Sequence, residues 1–213
     1  MNPRIYVLAG VNGAGKSSVI GGMIHAAGGE FFNPDEVAAT LRTGQGLSLH
    51  EANARAWTEG KERLERAIHD RSNFAFETTL GASTIPRLLA QAADEGFEVR
   101  IWFVGLESVE KHMQRVRARV AAGGHDISEE KIRERWVGSR LNVINLLPRV
   151  AELRVYDNSA ECDAGTGQNP PPKLLLHWNR GRILAPPVSE LESTPEWAKP
   201  ILAAAIDLVT PRN

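Results

Sequence analysis

The chain has 213 residues, of which 42% are hydrophobic and 24% charged, enough apolar side chain for one folded core. The formal net charge of −1 and the single cysteine exclude a strongly basic nucleic-acid binder, a disulfide framework and a multi-cysteine zinc site. The apolar run at the N-terminus is too short for a signal peptide, so we expect a cytoplasmic protein with no membrane partner.

Short apolar runs alternate with longer helical patterns along the first 160 residues. The runs that predict strands cover residues 5–9, 74–76, 99–104 and 154–156. The patterns that predict helices cover residues 16–27, a segment that starts at the cap Asn33, and residues 48–70, 83–95, 108–122 and 128–147. This alternation indicates βαβ units and therefore an α/β fold with a parallel sheet.

The C-terminal part has a different pattern. Residues 160–173 are rich in Gly, Pro and Asn and predict a loop. A hairpin is predicted from residues 174–177 and 182–184, followed by a helix that is capped at Thr194 and ends near Val209. We therefore divide the chain into a core over residues 1–160 and an extension over residues 161–213, in which a hairpin and a helix pack on the core.

A glycine-rich segment directly follows the first predicted strand and opens the first predicted helix. Residues 10–17 match G-x-x-x-x-G-K-[ST] at every fixed position. Its glycines let backbone N–H groups turn inward around an anion, and the helix dipole adds positive potential. We predict that Lys16 reaches the β- and γ-phosphates of a nucleotide and that Ser17 binds Mg²⁺. The predicted nucleotide-binding residues here are Gly10, Asn12, Gly13, Ala14, Gly15, Lys16, Ser17 and Ser18.

Acidic residues are placed to face this loop from the acceptor side. Asp35 lies nineteen residues after Lys16, in the first turn of a predicted helix. There it either orients an attacking hydroxyl or only complements the helix dipole, and spacing alone favours neither. Glu77 follows a strand at the edge where ligands gather, so it binds substrate hydroxyls, contacts a ligand of Mg²⁺ or caps the next helix. The predicted substrate-side residues are Asp35, Glu77, Thr78 and Thr79.

Residues 111–140 hold eight basic and four acidic side chains in a helix–glycine–helix pattern. The pattern predicts a lid that closes arginines onto a transferring phosphoryl group, although a solvated helix face would show the same charges. Arg115 and Arg119 share one helix face, and Arg135 is the arginine that we favour on the second arm. His125, between the arms, is either a phosphate ligand or a turn residue.

Two further features bear on ligand binding. Asn158 follows the last core strand, where it is placed to contact an adenine or simply to form a turn. The tryptophans are predicted to be core residues or half-buried anchors and not a stacking series for single-stranded nucleic acid. They are Trp57, Trp102, Trp136, Trp178 and Trp197.

Five motifs, at residues 10–17, 32–35, 74–79, 115–125 and 156–158, occur in an order that resembles the zeta-toxin-like P-loop kinases. The nearest branch is the one often labelled predicted ABC-type ATPases, and the resemblance covers about residues 3–160. It implies a three-layer α/β/α P-loop NTPase fold of the nucleoside-kinase type. It also implies a kinase that uses ATP and Mg²⁺ to phosphorylate a hydroxyl of a small molecule. In the best-known members that molecule is UDP-N-acetylglucosamine, and a small antitoxin protein neutralises the kinase.

The resemblance assigns roles to the candidate residues. Lys16 and Ser17 become the nucleotide and Mg²⁺ ligands, Asp35 the base, and Glu77 a carboxylate of the substrate pocket. The toxins usually have proline where Asn12 stands in this chain.

Their second phosphate-clamping arginine lies near the position of His125 here. We therefore expect Arg119 and Arg135 to form the clamp, with Arg115 at the nucleotide.

Two alternatives stay open: a polynucleotide or RNA kinase that uses the arginine-rich segment as a groove, and a non-catalytic ATP-binding switch. The neutral net charge and the lack of an aromatic series count against a nucleic-acid partner.

Overall fold

A computed structural model of the chain describes residues 2–16, 31–161 and 170–210, and seven strands in these ranges form one sheet. The strands are β1 (Arg4–Ala9), β2 (Phe31–Phe32), β3 (Phe74–Thr78), β4 (Glu98–Gly105), β5 (Glu152–Asp157), β6 (Lys173–Asn179) and β7 (Arg182–Ala185). They lie in the order β2-β3-β1-β4-β5-β6-β7. Strands β1 to β5 are parallel, as predicted, whereas β6 pairs antiparallel with β5 and with β7. The sheet is therefore mixed and mostly parallel.

The α-helices that lie wholly in the described ranges are α1 (Pro34–Gln45), α2 (Leu49–His69), α3 (Thr84–Asp94), α4 (Val109–Ala121), α5 (Glu129–Leu146) and α6 (Lys199–Val209), and Val188–Ser193 forms a 3₁₀ helix. Asn33 caps α1 by accepting a hydrogen bond from the backbone of Asp35, and Ser48 forms a capping box with Glu51 at the start of α2. The predicted cap at Thr194 is wrong, because α6 begins only at Lys199. Beyond Lys16, the helix predicted over residues 16–27 lies outside the described ranges.

The larger hydrophobic core lies on one face of the sheet. Alternate residues of the central strands point into it, such as Val7, Ile101 and Val155, each at most 1% exposed. Apolar side chains of α3, α5 and α6 cover this face. The tryptophan prediction is confirmed for Trp102, Trp136, Trp178 and Trp197, which are buried or half-buried. It is wrong for Trp57, which is 48% exposed.

The sheet order brings the candidate residues to one edge. Because β3, β1 and β4 are adjacent and parallel, their carboxyl ends meet where the glycine loop leaves β1. The first turn of α1 follows directly on β2, the neighbour of β3. Across the described ranges, no helix is both long enough and apolar enough to cross a bilayer.

Candidate functional site

The glycine loop after β1 adopts backbone conformations that need glycine. Gly10, Gly13 and Gly15 have φ angles of 148°, 82° and 80°. A Cβ atom on Gly10 would lie 2.2 Å from the carbonyl oxygen of Val104 in β4, so no other residue fits there. The N–H of Gly10 donates to the carbonyl of Thr78 at 3.2 Å and joins the loop to β3. The geometry is that of a preformed backbone cradle for an anion.

Two buried or half-buried side chains hold the carbonyls of this loop. Nδ1 of His112 in α4 lies 2.9 Å from the carbonyl oxygen of Asn12, and Nδ2 of Asn158 donates to the carbonyl of Ala14 at 2.8 Å. His112 is 1% exposed, and burial, aided by the nearby charge of Lys16, lowers its pKa to about 4. The ring is therefore neutral at pH 7 and donates from Nδ1. Asn158, predicted at an adenine, contacts the loop backbone.

Lys16 and Glu77 form an ion pair at the centre of the site. Their Nζ and Oε1 atoms lie 3.3 Å apart, and the two side chains are 7% and 9% exposed. Glu77 was expected to follow the strand, but it lies within β3. Its Cα is in register with Leu8 of β1. Burial makes each charge depend on a partner. Glu77 is therefore placed to hold the lysine ammonium at the end of the loop.

A cavity of about 750 Å³ opens beside this ion pair. Its walls come from the glycine loop, the start of α1, α2, residues 76–85 and residues 125–135. The predicted site residues that line it are Asn12, Lys16, Asp35, Glu77, Thr78, Thr79, His125 and Arg135. Side chains from distant parts of the sequence thus gather around one space large enough for a small-molecule ligand.

Asp35 lies on the cavity wall with its carboxylate available. It occupies the first turn of α1, where its backbone N–H donates to Oδ1 of Asn33 at 3.0 Å. The residue is exposed, and no side chain or backbone donor in the described ranges forms a hydrogen bond or ion pair with its carboxylate. Within the part of the chain that the structure describes, nothing therefore competes with a ligand for this carboxylate.

Arg135 of α5 reaches the glycine loop from another wall of the cavity. Its Nη1 donates to Oδ1 of Asn12 at 2.7 Å. Burial lowers the pKa of the Arg135 guanidinium, and the negative charges of Asp35 and Glu134 act in the opposite direction. An arginine stays protonated in such a setting, so a second fixed cation stands at the loop.

Close backbone contacts fix the position of α5 on the loop that follows β3. A Cβ atom on Gly138 would lie 2.4 Å from the carbonyl oxygen of Gly81, and one on Gly81 would lie 2.7 Å from Cγ of Arg135. Nδ2 of Asn142 donates to the carbonyl of Leu80 at 2.8 Å. Leu80 itself has a φ of 55°, a conformation that leucine rarely adopts. Arg135 is thus held by the packing of its whole helix.

The other two predicted lid arginines lie elsewhere. Nη2 of Arg115 donates to the carbonyl of Ala160, and Nη2 of Arg119 to the carbonyl of His125, each at 3.2 Å. Neither arginine lines the cavity. They tie α4 to two loops around the site, while Arg135 reaches the cavity.

One wall of the cavity was not predicted. A face of α2 lines it, through Leu49, His50, Asn53, Ala54, Trp57, Gly60 and Lys61. The spacing of His50, Asn53, Trp57 and Lys61 places them along one side of a helix, and this spacing was the available signal.

Ser17 and Ser18, predicted at Mg²⁺ and the phosphates, lie outside the described residues. In the ranges that are described, no group of three or more His, Cys, Asp or Glu side chains is arranged to hold a metal.

Residues 5–136 match a family model described as an AAA domain. A protein of Haemophilus influenzae described as "Uncharacterized protein" is 27% identical over 142 residues, which are 64% of this chain and 94% of that protein.

Two solved structures are similar in fold. The AvrRxo1-ORF1:-ORF2 complex with ATP has a TM-score of 0.65 at 16% identity and matches 92% of this chain and 64% of its own. A structure from the PezAT chromosomal toxin–antitoxin system of Streptococcus pneumoniae has a TM-score of 0.54 at 13% identity. The match covers 98% of this chain and 86% of that chain. This chain thus spans less than two thirds of the AvrRxo1 chain. The fold is a P-loop kinase-like three-layer α/β fold, and the family match, which covers more than half of the chain, shows that the chain belongs to the AAA domain family.

Proposed function

We propose that this protein is an ATP-dependent kinase that transfers the γ-phosphoryl group to a hydroxyl group of a small molecule. One observation carries the proposal: Lys16, Asp35 and Arg135 line the same cavity at the end of the glycine loop. Phosphoryl transfer requires cations at the phosphates and a group that orients the attacking oxygen. These three side chains meet that requirement from three separate walls.

The proposed reaction follows from this placement. The loop N–H groups and Lys16 bind the β- and γ-phosphates, and the lysine exchanges its contact with Glu77 for phosphate oxygens. Asp35 accepts a hydrogen bond from the acceptor hydroxyl and aligns its oxygen with the γ-phosphorus. The oxygen–phosphorus bond forms as the bond to the β-phosphate oxygen breaks, ADP departs, and the hydroxyl proton passes to Asp35.

Arg135 stabilises the negative charge that develops on the transferring phosphoryl group. Asn12 accepts a hydrogen bond from one of its five N–H groups, and among the described residues no other acceptor bonds the guanidinium, so the other donors can bind phosphate oxygens. We propose Arg115 and Arg119 as residues that position the lid, since their guanidinium groups contact loop carbonyls.

The glycine loop fits the phosphates of a nucleotide–Mg²⁺ complex, because Gly10, Gly13 and Gly15 have the positive φ angles that let backbone N–H groups turn towards an anion. When bound, Mg²⁺ neutralises charge on the β- and γ-phosphates, and the motif assigns its coordination to Ser17.

For the acceptor we propose a nucleotide sugar, with UDP-N-acetylglucosamine as the first candidate because of the zeta-toxin resemblance. Glu77, Thr78 and Thr79 line the cavity and are its proposed contacts. A small antitoxin is the proposed protein partner, since one similar structure is a two-protein complex and another belongs to a toxin–antitoxin system.

The test compares two substitutions in the first turn of α1. Asp35→Asn and Glu36→Gln each remove one exposed carboxylate, but only Asp35 lines the cavity. Transfer from ATP to a panel of nucleotides and nucleotide sugars should fall about 100-fold or more for Asp35→Asn and stay near wild type for Glu36→Gln. Equal rates for both variants would refute the assignment. ATP binding without transfer to any acceptor would instead support an ATP-binding switch.

A further inference from the structure

Trp57 is exposed inside the cavity wall. The five tryptophans, two tyrosines and six phenylalanines of the chain all lie within the described ranges. Among them only Trp57 is exposed, with 48% of its surface accessible to solvent. A single exposed apolar side chain needs no explanation by itself. This one, however, lines the same cavity as Lys16 and Asp35.

Trp57 lies near the acceptor end of the cavity. Gly60 packs against Phe32, since a Cβ atom there would lie 2.6 Å from Cε1 of the ring, and Phe32 directly precedes the cap of α1 that carries Asp35. Trp57 is one turn of α2 away from Gly60, about 5 Å along the helix axis. A ring stacked on Trp57 and a hydroxyl at Asp35 can therefore belong to one small molecule.

The sheet order separates this region from the other side of the glycine loop. Strands β2 and β3, with α1 and α2, lie on one side of β1. Strands β4 and β5, with Asn158 and the carbonyl that Arg115 contacts, lie on the other. Trp57 shares its side with Asp35, the group proposed to align the acceptor.

We infer that Trp57 and Asn53 form a subsite for a planar heteroaromatic ring of the acceptor, such as the base of a nucleoside or nucleotide derivative. This rests on the proposed function only in calling the ligand an acceptor. The indole face stacks on a ring of any nucleobase. Asn53, one turn away and also on the cavity wall, has an amide that both donates and accepts hydrogen bonds and so matches the polar edge of a base.

Calorimetric titration tests this in the presence of ADP and Mg²⁺, with AMP, GMP, CMP, UMP and glucose 1-phosphate as probes. At least one nucleotide should bind, Trp57→Phe should retain that binding within about threefold, and Trp57→Ala should weaken it about tenfold or more. Leu141→Ala is the matched control, because Leu141 is an exposed apolar residue of α5, at 55%, outside the cavity. It should bind the nucleotide as the wild type does.

Three results would overturn the inference. The first is nucleotide binding that is unchanged in Trp57→Ala, and the second is binding of glucose 1-phosphate but of no nucleotide. The third is weaker binding of ATP to Trp57→Ala when ADP is absent, because this would mean that the adenine of ATP stacks on Trp57. Failure of this inference can be told apart from failure of the proposed function. Nucleotide binding that depends on Trp57, without any phosphoryl transfer, would support the subsite and contradict the kinase. Phosphoryl transfer that does not depend on Trp57 would support the kinase and contradict the subsite.

Discussion

Nη1 of Arg135 donates a 2.7 Å hydrogen bond to Oδ1 of Asn12, which joins α5 to the glycine loop across 123 positions of sequence. Asn12 is only 8% exposed, so this contact lies inside the site. The position is the one where the resembling toxins usually have proline, which offers no such acceptor. In this chain the loop itself therefore positions the arginine that we propose as the phosphate clamp.

Asn12→Ala should lower the free energy of unfolding by about 1–3 kcal/mol, because it leaves a partly buried guanidinium without its acceptor. In a double-mutant cycle with Arg135→Ala, the second substitution should cost less when Asn12 is already absent, with a coupling energy of about 1 kcal/mol. Urea unfolding of the four proteins measures both quantities. Asn53→Ala, at an exposed asparagine, is the control and should change stability by less than about 0.5 kcal/mol. Strictly additive losses would show that the hydrogen bond contributes nothing.

His112 should make stability depend on acid pH. Its pKa is about 4 in the folded protein against 6.5 as the ordinary value, so the folded state binds fewer protons between these values. Its contribution is fully present above pH 6.5 and is lost as the pH falls towards 4, up to about 3 kcal/mol.

The measurement is the free energy of unfolding at pH 7 and pH 4 for wild type and His112→Asn. The difference between the two pH values should be smaller in the variant by up to about 3 kcal/mol. Parallel pH profiles for the two proteins would contradict a buried neutral imidazole under the loop.

Two helical glycines should respond to alanine with opposite signs. Gly138→Ala places a Cβ atom 2.4 Å from the carbonyl oxygen of Gly81 and should destabilise the protein by about 1–3 kcal/mol. It should also reduce phosphoryl transfer, because the shift displaces Arg135. Gly44 of α1 has no atom within 4 Å of an added Cβ, so Gly44→Ala should stabilise by about 0.5–1 kcal/mol. Thermal unfolding checks both, and a tolerated Gly138→Ala would mean that α5 is not fixed as described.

Local signals predicted most of the fold. The parallel strands and the caps at Asn33 and Ser48 depend on short-range pattern and chemistry, and the structure confirms them. Strand β2 was missed because two residues carry no periodicity, and the start of α6 was misplaced because Thr194 resembles a cap. The pairing of β6 with β5 was not predicted, since a hairpin pattern does not reveal which strand it joins.

The candidate site was predictable only in part. The glycine motif and Asp35 are recognised from their sequence context, and their roles stay predictions. Burial in three dimensions decided the rest: Arg115 contacts a loop carbonyl, and Trp57 lies on the cavity wall although its hydrophobicity predicted an anchor. The bond between Arg135 and Asn12 joins distant segments, and no local pattern encodes it.

Calorimetric titration of ATP with excess Mg²⁺ into wild type, Lys16→Met and Lys173→Met tests the central claim, that the glycine loop binds a triphosphate. Lys173 is an exposed lysine at the start of β6 and serves as the matched control. Wild type and Lys173→Met should bind ATP equally, and Lys16→Met should bind about tenfold more weakly or not at all. Wild-type protein that does not bind ATP, or a Lys16→Met variant that binds it as well as wild type, would contradict the account.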